Sequence, residues 1–138
     1  MIGLLMSLVS PGCDDVDRDL PREYRRLDVP DARLESMEAR LRGNRLFEEH
    51  CALCHGVRGD GNGVRREGLT SSPRDFTDPA WRMATSPRRV FFAIREGLRG
   101  TAMPSWKALS DRDAWDMTAY VMSLSTTPRV PDEGREPR

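Results

Sequence analysis

The sequence predicts an all-α domain of short helices joined by long loops, and three observations predict it. Apolar residues recur at three-to-four spacing in separated stretches, as on one face of a helix. No stretch alternates apolar and polar residues strongly enough to read as a strand. Glycine and proline clusters cut the chain between the periodic stretches. The chain has 138 residues, 38% hydrophobic and 32% charged, with a mean hydropathy of −0.62. That length suits one domain. Such a polar small domain often relies on a metal, disulfide or cofactor to complete its interior.

Taken in order, the chain opens with MIGLLMSLVSPGC, whose first twelve residues carry no charge. It is too short to span a bilayer but suits the apolar core of an export signal. Small residues precede Cys13, as in a bacterial lipoprotein leader, so residues 1–13 are expected to be an export signal with Cys13 as lipidation site. Ser10 departs from that pattern, which prefers Leu or Val there, and the basic start of a signal is missing. Residues 14–31 are charged, contain Pro21 and Pro30, and read as a flexible tether.

The main domain is expected over residues 32–125. Its first helix runs from about Ala32 to Glu49, with Leu34, Met37, Leu41 and Phe47 as its apolar set. Gly43 interrupts it at a cost of about 1 kcal/mol, which a closely crossing helix would explain. The segment from Gly56 to Pro73 is loop. Asp78-Pro79 starts a short helix, and Ser86-Pro87 starts a stronger one bearing Val90, Phe91, Ile94 and Leu98 and ended by Gly97 or Gly100. After the loop Gly100 to Trp106, a last helix begins at Ser110, whose S-x-x-D spacing to Asp113 resembles a capping box, and runs to about Ser125. The proline-rich, charged tail, 126–138, reads as disordered.

Charge is balanced, with 22 basic and 22 acidic residues, so nothing pulls the whole chain toward nucleic acid. The distribution is uneven. Gly56 to Leu109 carries ten basic residues against five acidic, while Asp14 to His50 carries eight against eleven.

The chemistry concentrates at C-A-L-C-H, Cys51 to His55. On a helical turn, positions three apart share a face, so two thiols can each add to a vinyl group of one haem while the following imidazole binds iron. C-x-x-C-H is the c-type haem attachment pattern. A zinc site would want a second pair of ligands, and a thioredoxin-like pair would want a βαβ context. Neither is visible, though a five-residue pattern can also occur by chance. Met103, in a loop between Gly100 and Pro104, is the best second iron ligand, with Met83 its rival. The glycine run G-D-G-N-G is neither a calcium loop, since Val64 and Arg65 stand where Asp or Asn and Gly are wanted, nor G-x-G-x-x-G, since Arg66 occupies the last position. It reads as a mechanical loop. His50 is taken as a surface residue, and Trp106 and Trp115 as packing.

The chain resembles the class I c-type cytochromes, which hold one haem between His and Met, over about Ala39 to Ser125. C-A-L-C-H, G-T-A-M-P at Gly100 to Pro104, and Gly43, Phe47 and Cys51 at steps of four carry the resemblance, with Trp115 and A-Y-V at Ala119 to Val121. It implies the cytochrome c fold, with the first and last helices crossing at Gly43 around one covalent haem c. It implies His55 and Met103 as iron ligands and the Pro73 carbonyl as acceptor for the proximal imidazole. It further implies attachment outside the cytoplasm, hence a periplasmic and, with Cys13, membrane-anchored location. The expected function is single-electron transfer with redox protein partners such as membrane-bound respiratory complexes, not catalysis. The alternative is a haem enzyme or sensor in which Met103 leaves to open the iron to peroxide or a small gas.

Overall fold

The structure, a computed structural model, describes residues 16–125. The expected leader at 1–13, with Cys13, and the tail at 126–138 lie outside the described residues. Among the described residues seven helices follow in order: α1 Arg22–Arg25, α2 Asp31–Glu35, α3 Met37–His50, α4 Ala52–His55, α5 Pro79–Met83, α6 Pro87–Glu96 and α7 Asp111–Ser123. Among the described residues there is no strand.

Local chemistry sets the helix starts. Asp78 accepts from Ala80 N at 2.8 Å ahead of Pro79. Ser86 accepts from Arg89 N at 3.1 Å ahead of Pro87. Ser110 accepts from Asp113 N at 3.1 Å and donates its hydroxyl proton to Asp113 Oδ2 at 2.8 Å. Each side-chain oxygen satisfies a backbone donor that the first helical turn leaves without a partner.

The expected single helix from Ala32 is two. Ser36 takes an extended conformation, and its hydroxyl accepts from Ala39 N at 3.3 Å, capping α3 and ending α2. The buried face of α3 is Ala39, Gly43 and Phe47, whereas Met37 and Leu41 are exposed. The face is chosen by α7, which crosses α3 most closely at Gly43 and takes the Phe47 ring against Tyr120 at 5.2 Å. A Cβ on Gly43 would lie 2.0 Å from the Asp116 carbonyl oxygen and 2.9 Å from Tyr120 Cβ. Leu98, expected on the buried face of α6, falls beyond its end and is exposed.

The core joins Phe47 with Val90, Phe91 and Ile94 of α6 and Ala114, Trp115, Met117, Val121 and Met122 of α7. Trp115 stacks on Phe91 at 4.1 Å. Asp116, fully buried, is held by Arg33 at 2.7 Å and Arg42 at 2.7 Å, so one carboxylate ties α2, α3 and α7 together.

The expected tether is, from Val16 onward, part of the packed domain. Leu20 and Asp17 are buried. Tyr24 meets Phe92 edge-on at 4.9 Å, and Leu27 and Val29 pack against the core. Tyr24 rests on Phe91 and Phe92 of α6, and Arg88 and Arg89 of that helix bind the segment's carbonyls and carboxylates.

Candidate functional site

Cys51 ends α3 and begins α4. Its carbonyl accepts from Cys54 N at 3.1 Å and His55 N at 2.9 Å, which winds the C-x-x-C-H segment into one turn. Cys51 and Cys54 are both free thiols and half-buried. Burial, with a smaller contribution from Cys54, pushes the Cys51 thiol up to about 12.

The glycine-rich loop folds back over this turn. Arg65 N donates to the Leu53 carbonyl at 2.9 Å, Gly63 N to that of Cys54 at 3.1 Å, and Gly61 N to that of His55 at 2.8 Å. These are the carbonyls that the end of a helix leaves open. At Gly63 a Cβ would sit 2.3 Å from the Leu53 oxygen and 2.4 Å from the Cys54 carbonyl carbon. Glycine there is a requirement of close approach, which gives the mechanical reading of G-D-G-N-G a definite content.

His55 is oriented from several sides. Its ring stacks on Phe76 at 4.5 Å and lies 6.5 Å from Phe47, while Trp81 backs Phe76 at 5.1 Å. Its Nδ1 lies 3.1 Å from the Arg74 carbonyl oxygen. The acceptor is therefore Arg74, not Pro73. The Pro73 carbonyl instead faces Gly61, where a Cβ would come within 2.8 Å of it. The pairing of Gly61 N with His55 and of Phe76 N with the Gly59 carbonyl, at 2.7 Å, sets which carbonyl reaches the ring. Burial lowers the His55 pKa more than the Arg74 bond raises it, so the ring is neutral at neutral pH. A neutral imidazole donating from Nδ1 presents Nε2 as its lone-pair donor.

Met103 is half-buried in the loop between α6 and α7. Its N–H donates to Thr101 Oγ1 at 3.2 Å, and its carbonyl accepts from Leu98 N at 3.3 Å. Its rival Met83 is 81% exposed, Met37 is 66% exposed, and Met117 and Met122 are core residues. Among the described residues, Met103 is thus the methionine that is neither solvated nor packed away. His50 is a correction to the sequence reading. It is not a free surface residue, because its ring lies 4.7 Å from that of Trp106. This contact joins the residue before Cys51 to the loop that carries Met103.

The donor set fits a covalently held haem. Two unpaired thiols share a turn with an imidazole whose second nitrogen is already engaged. No cluster of three or more His, Cys, Asp or Glu capable of holding a bare metal ion occurs among the described residues. Sequence reasoning missed Arg74, Phe76 and the His50–Trp106 contact. A backbone carbonyl has no side-chain signature, and ring pairs distant in sequence show no spacing.

An all-helical fold whose two longest helices cross at a glycine, with C-x-x-C-H at the end of the first, defines a c-type cytochrome. The chain belongs to the family described as cytochrome C oxidase, cbb3-type, subunit III, which matches residues 38–121. It is similar to cytochrome c55X of Stutzerimonas stutzeri, 35% identical over 69 residues, or 48% of this chain and 50% of that protein. The match thus spans half the length of that curated relative. Among solved structures, it is similar to a chain of the Kuenenia stuttgartiensis reducing HAO-like protein complex Kustc0457/Kustc0458. That likeness has TM-score 0.57 and 36% identity, over 64% of this chain and 44% of that one. It is also similar to the KustC0563 c-type cytochrome, with TM-score 0.51 and 32% identity over 59% of this chain and 95% of that one. Membership of a c-type cytochrome family implies electron transfer.

Proposed function

We propose that this chain is a monohaem electron carrier, with haem c attached through Cys51 and Cys54 and its iron held by His55 and Met103. The observation that carries the reading is the Nδ1 contact of His55 with the Arg74 carbonyl beside two free thiols on one turn. When bound, the haem supplies a one-electron Fe(III)/Fe(II) couple. The residues do the rest. Arg74 and Phe76 hold the imidazole in one tautomer and orientation. The soft thioether of Met103 would favour the reduced metal, and the surrounding apolar side chains would disfavour added charge. With His55 and Met103 both holding the iron, no place would be left for a substrate, which favours a carrier over an enzyme or sensor.

The test is the absorption spectrum of the ferric, haem-loaded protein. The weak long-wavelength band of iron bound to a thioether is expected, lost in Met103→Ala and kept in Met83→Ala. A band that survives Met103→Ala overturns the ligand assignment.

The same reading places the protein outside the cytoplasm, as a periplasmic lipoprotein held at a membrane through Cys13, serving membrane-bound respiratory complexes or acting as a subunit of one. The family description and a relative found in a redox complex support the redox partners, and the apolar stretch before Cys13 suggests the anchor. One acyl chain anchors marginally and two or more hold firmly. Haem-stained electrophoresis of purified membranes is expected to show the protein, and Cys13→Ala is expected to move it to the soluble fraction. Unchanged membrane retention would remove the anchor from the proposal.

A further inference from the structure

We infer that residues 16–27 form a brace that fixes the loop carrying Met103, with Tyr24 as the positioning residue, acting through Glu96 and Lys107. The functional consequence, though not the brace itself, rests on Met103 being the ligand. The segment precedes the family-matched residues 38–121.

The brace grips α6 at both ends. At the start of α6, Ser86 Oγ donates to Asp17 Oδ1, and Arg88 Nη1 lies 3.7 Å from Asp17 Oδ2. Arg88 Nε donates to the Leu27 carbonyl at 2.8 Å, Arg89 Nε donates to that of Val16 at 2.6 Å, and Arg89 also pairs with Asp19. At the far end, the Tyr24 hydroxyl donates to Glu96 Oε1 at 2.5 Å. The other Glu96 oxygen takes the Lys107 ammonium at 2.6 Å. Lys107 stands in the loop four residues after Met103.

That last turn of α6 is also where the loop is tied. The Ile94 carbonyl accepts from Trp106 N at 2.9 Å, and that of Arg95 accepts from Ser105 Oγ at 2.6 Å. The Arg95 guanidinium donates to the carbonyls of Lys107, at 3.3 Å, and of Leu109. Taken alone, the Lys107–Glu96 pair would contribute little, because its side chains are 62% and 30% exposed. Tyr24 changes that. Its ring is fixed against Phe92 at 4.9 Å and Phe91 at 6.4 Å, so its hydroxyl reaches Glu96 with little freedom left to lose. A carboxylate already fixed by a short, charge-assisted bond receives Lys107 at low entropic cost.

The experiment compares amide hydrogen exchange in the haem-loaded full chain with that of Tyr24→Phe, which keeps the ring and removes the hydroxyl. Exchange of the 98–109 segment is expected to rise about tenfold, with α3 and α7 unchanged. Lys107→Gln, an exposed change, is expected to do the same, and the double variant no more than either single. A further measurement separates positioning from plain stability. In Tyr24→Phe, the ferric thioether band should disappear at lower denaturant relative to the helical circular dichroism than it does in the parent. Unchanged loop exchange in Tyr24→Phe overturns the brace. So does an equal rise in α3 and α7, or additive effects in the double variant. If the parent shows no thioether band, the ligand reading fails while the exchange data still decide the brace.

Discussion

At Gly43, one missing carbon sets how closely α3 and α7 can lie. A methyl group there would press on a backbone carbonyl, which cannot swing aside as a side chain can. Alanine would gain about 1 kcal/mol in helix propensity and lose up to about 3 kcal/mol or more in forced separation of the helices. Gly43→Ala is therefore expected to lower stability by about 2 kcal/mol, read as the denaturant midpoint of the haem-loaded protein, and a neutral result would mean that the crossing is looser than described. Asp116 follows the same logic of close approach. A fully buried carboxylate is tolerated because Arg33 and Arg42 each place a nitrogen 2.7 Å from it.

Among elements, the helices whose starts are written in adjacent residues were legible in the sequence. Asp78-Pro79, Ser86-Pro87 and Ser110 are local signals, and the structure uses all three. The break at Ser36 was hidden, because a serine inside a plausible apolar pattern shows its capping role only when the backbone turns there. The segment 16–27 was hidden for a different reason. Its charge suggests a solvated tether, and the partners that hold it, through the Tyr24 ring and through hydrogen bonds, lie on α6 some sixty to seventy positions away. That docking carries a pH signature. Burial, then the Glu96 bond and charge, push Tyr24 up to about 12 from an ordinary 10. An acid whose folded pKa is raised contributes stability that is complete below about pH 10 and lost as pH rises toward 12. Alkaline titration should therefore release the segment across that window, and Tyr24→Phe should lack this component in a comparison of unfolding at pH 9 and pH 11.

On the scale of the whole molecule, zero net charge conceals a basic middle and a more acidic beginning. The basic stretch, residues 56–109, includes the glycine loop against the C-x-x-C-H turn and the loop of Met103. An acidic partner face is expected to be steered toward the basic surplus left after Arg88, Arg89 and Lys107 pair with Asp17, Asp19 and Glu96, so electron-transfer rates should fall as ionic strength rises. Rates indifferent to salt would remove that docking picture and leave the haem site untouched. At the candidate site, the turn shared by Cys51, Cys54 and His55 was legible because its parts are contiguous. The carbonyl facing His55 Nδ1 is that of Arg74, one residue after Pro73, because a chain carbonyl is chosen by the turn that presents it and not by its side chain. Finally, under the attachment proposed above, the half-buried Cys51 bears on the order of manufacture. A sulfur that the packed chain shields is reached more readily while the polypeptide is still open than after it has closed.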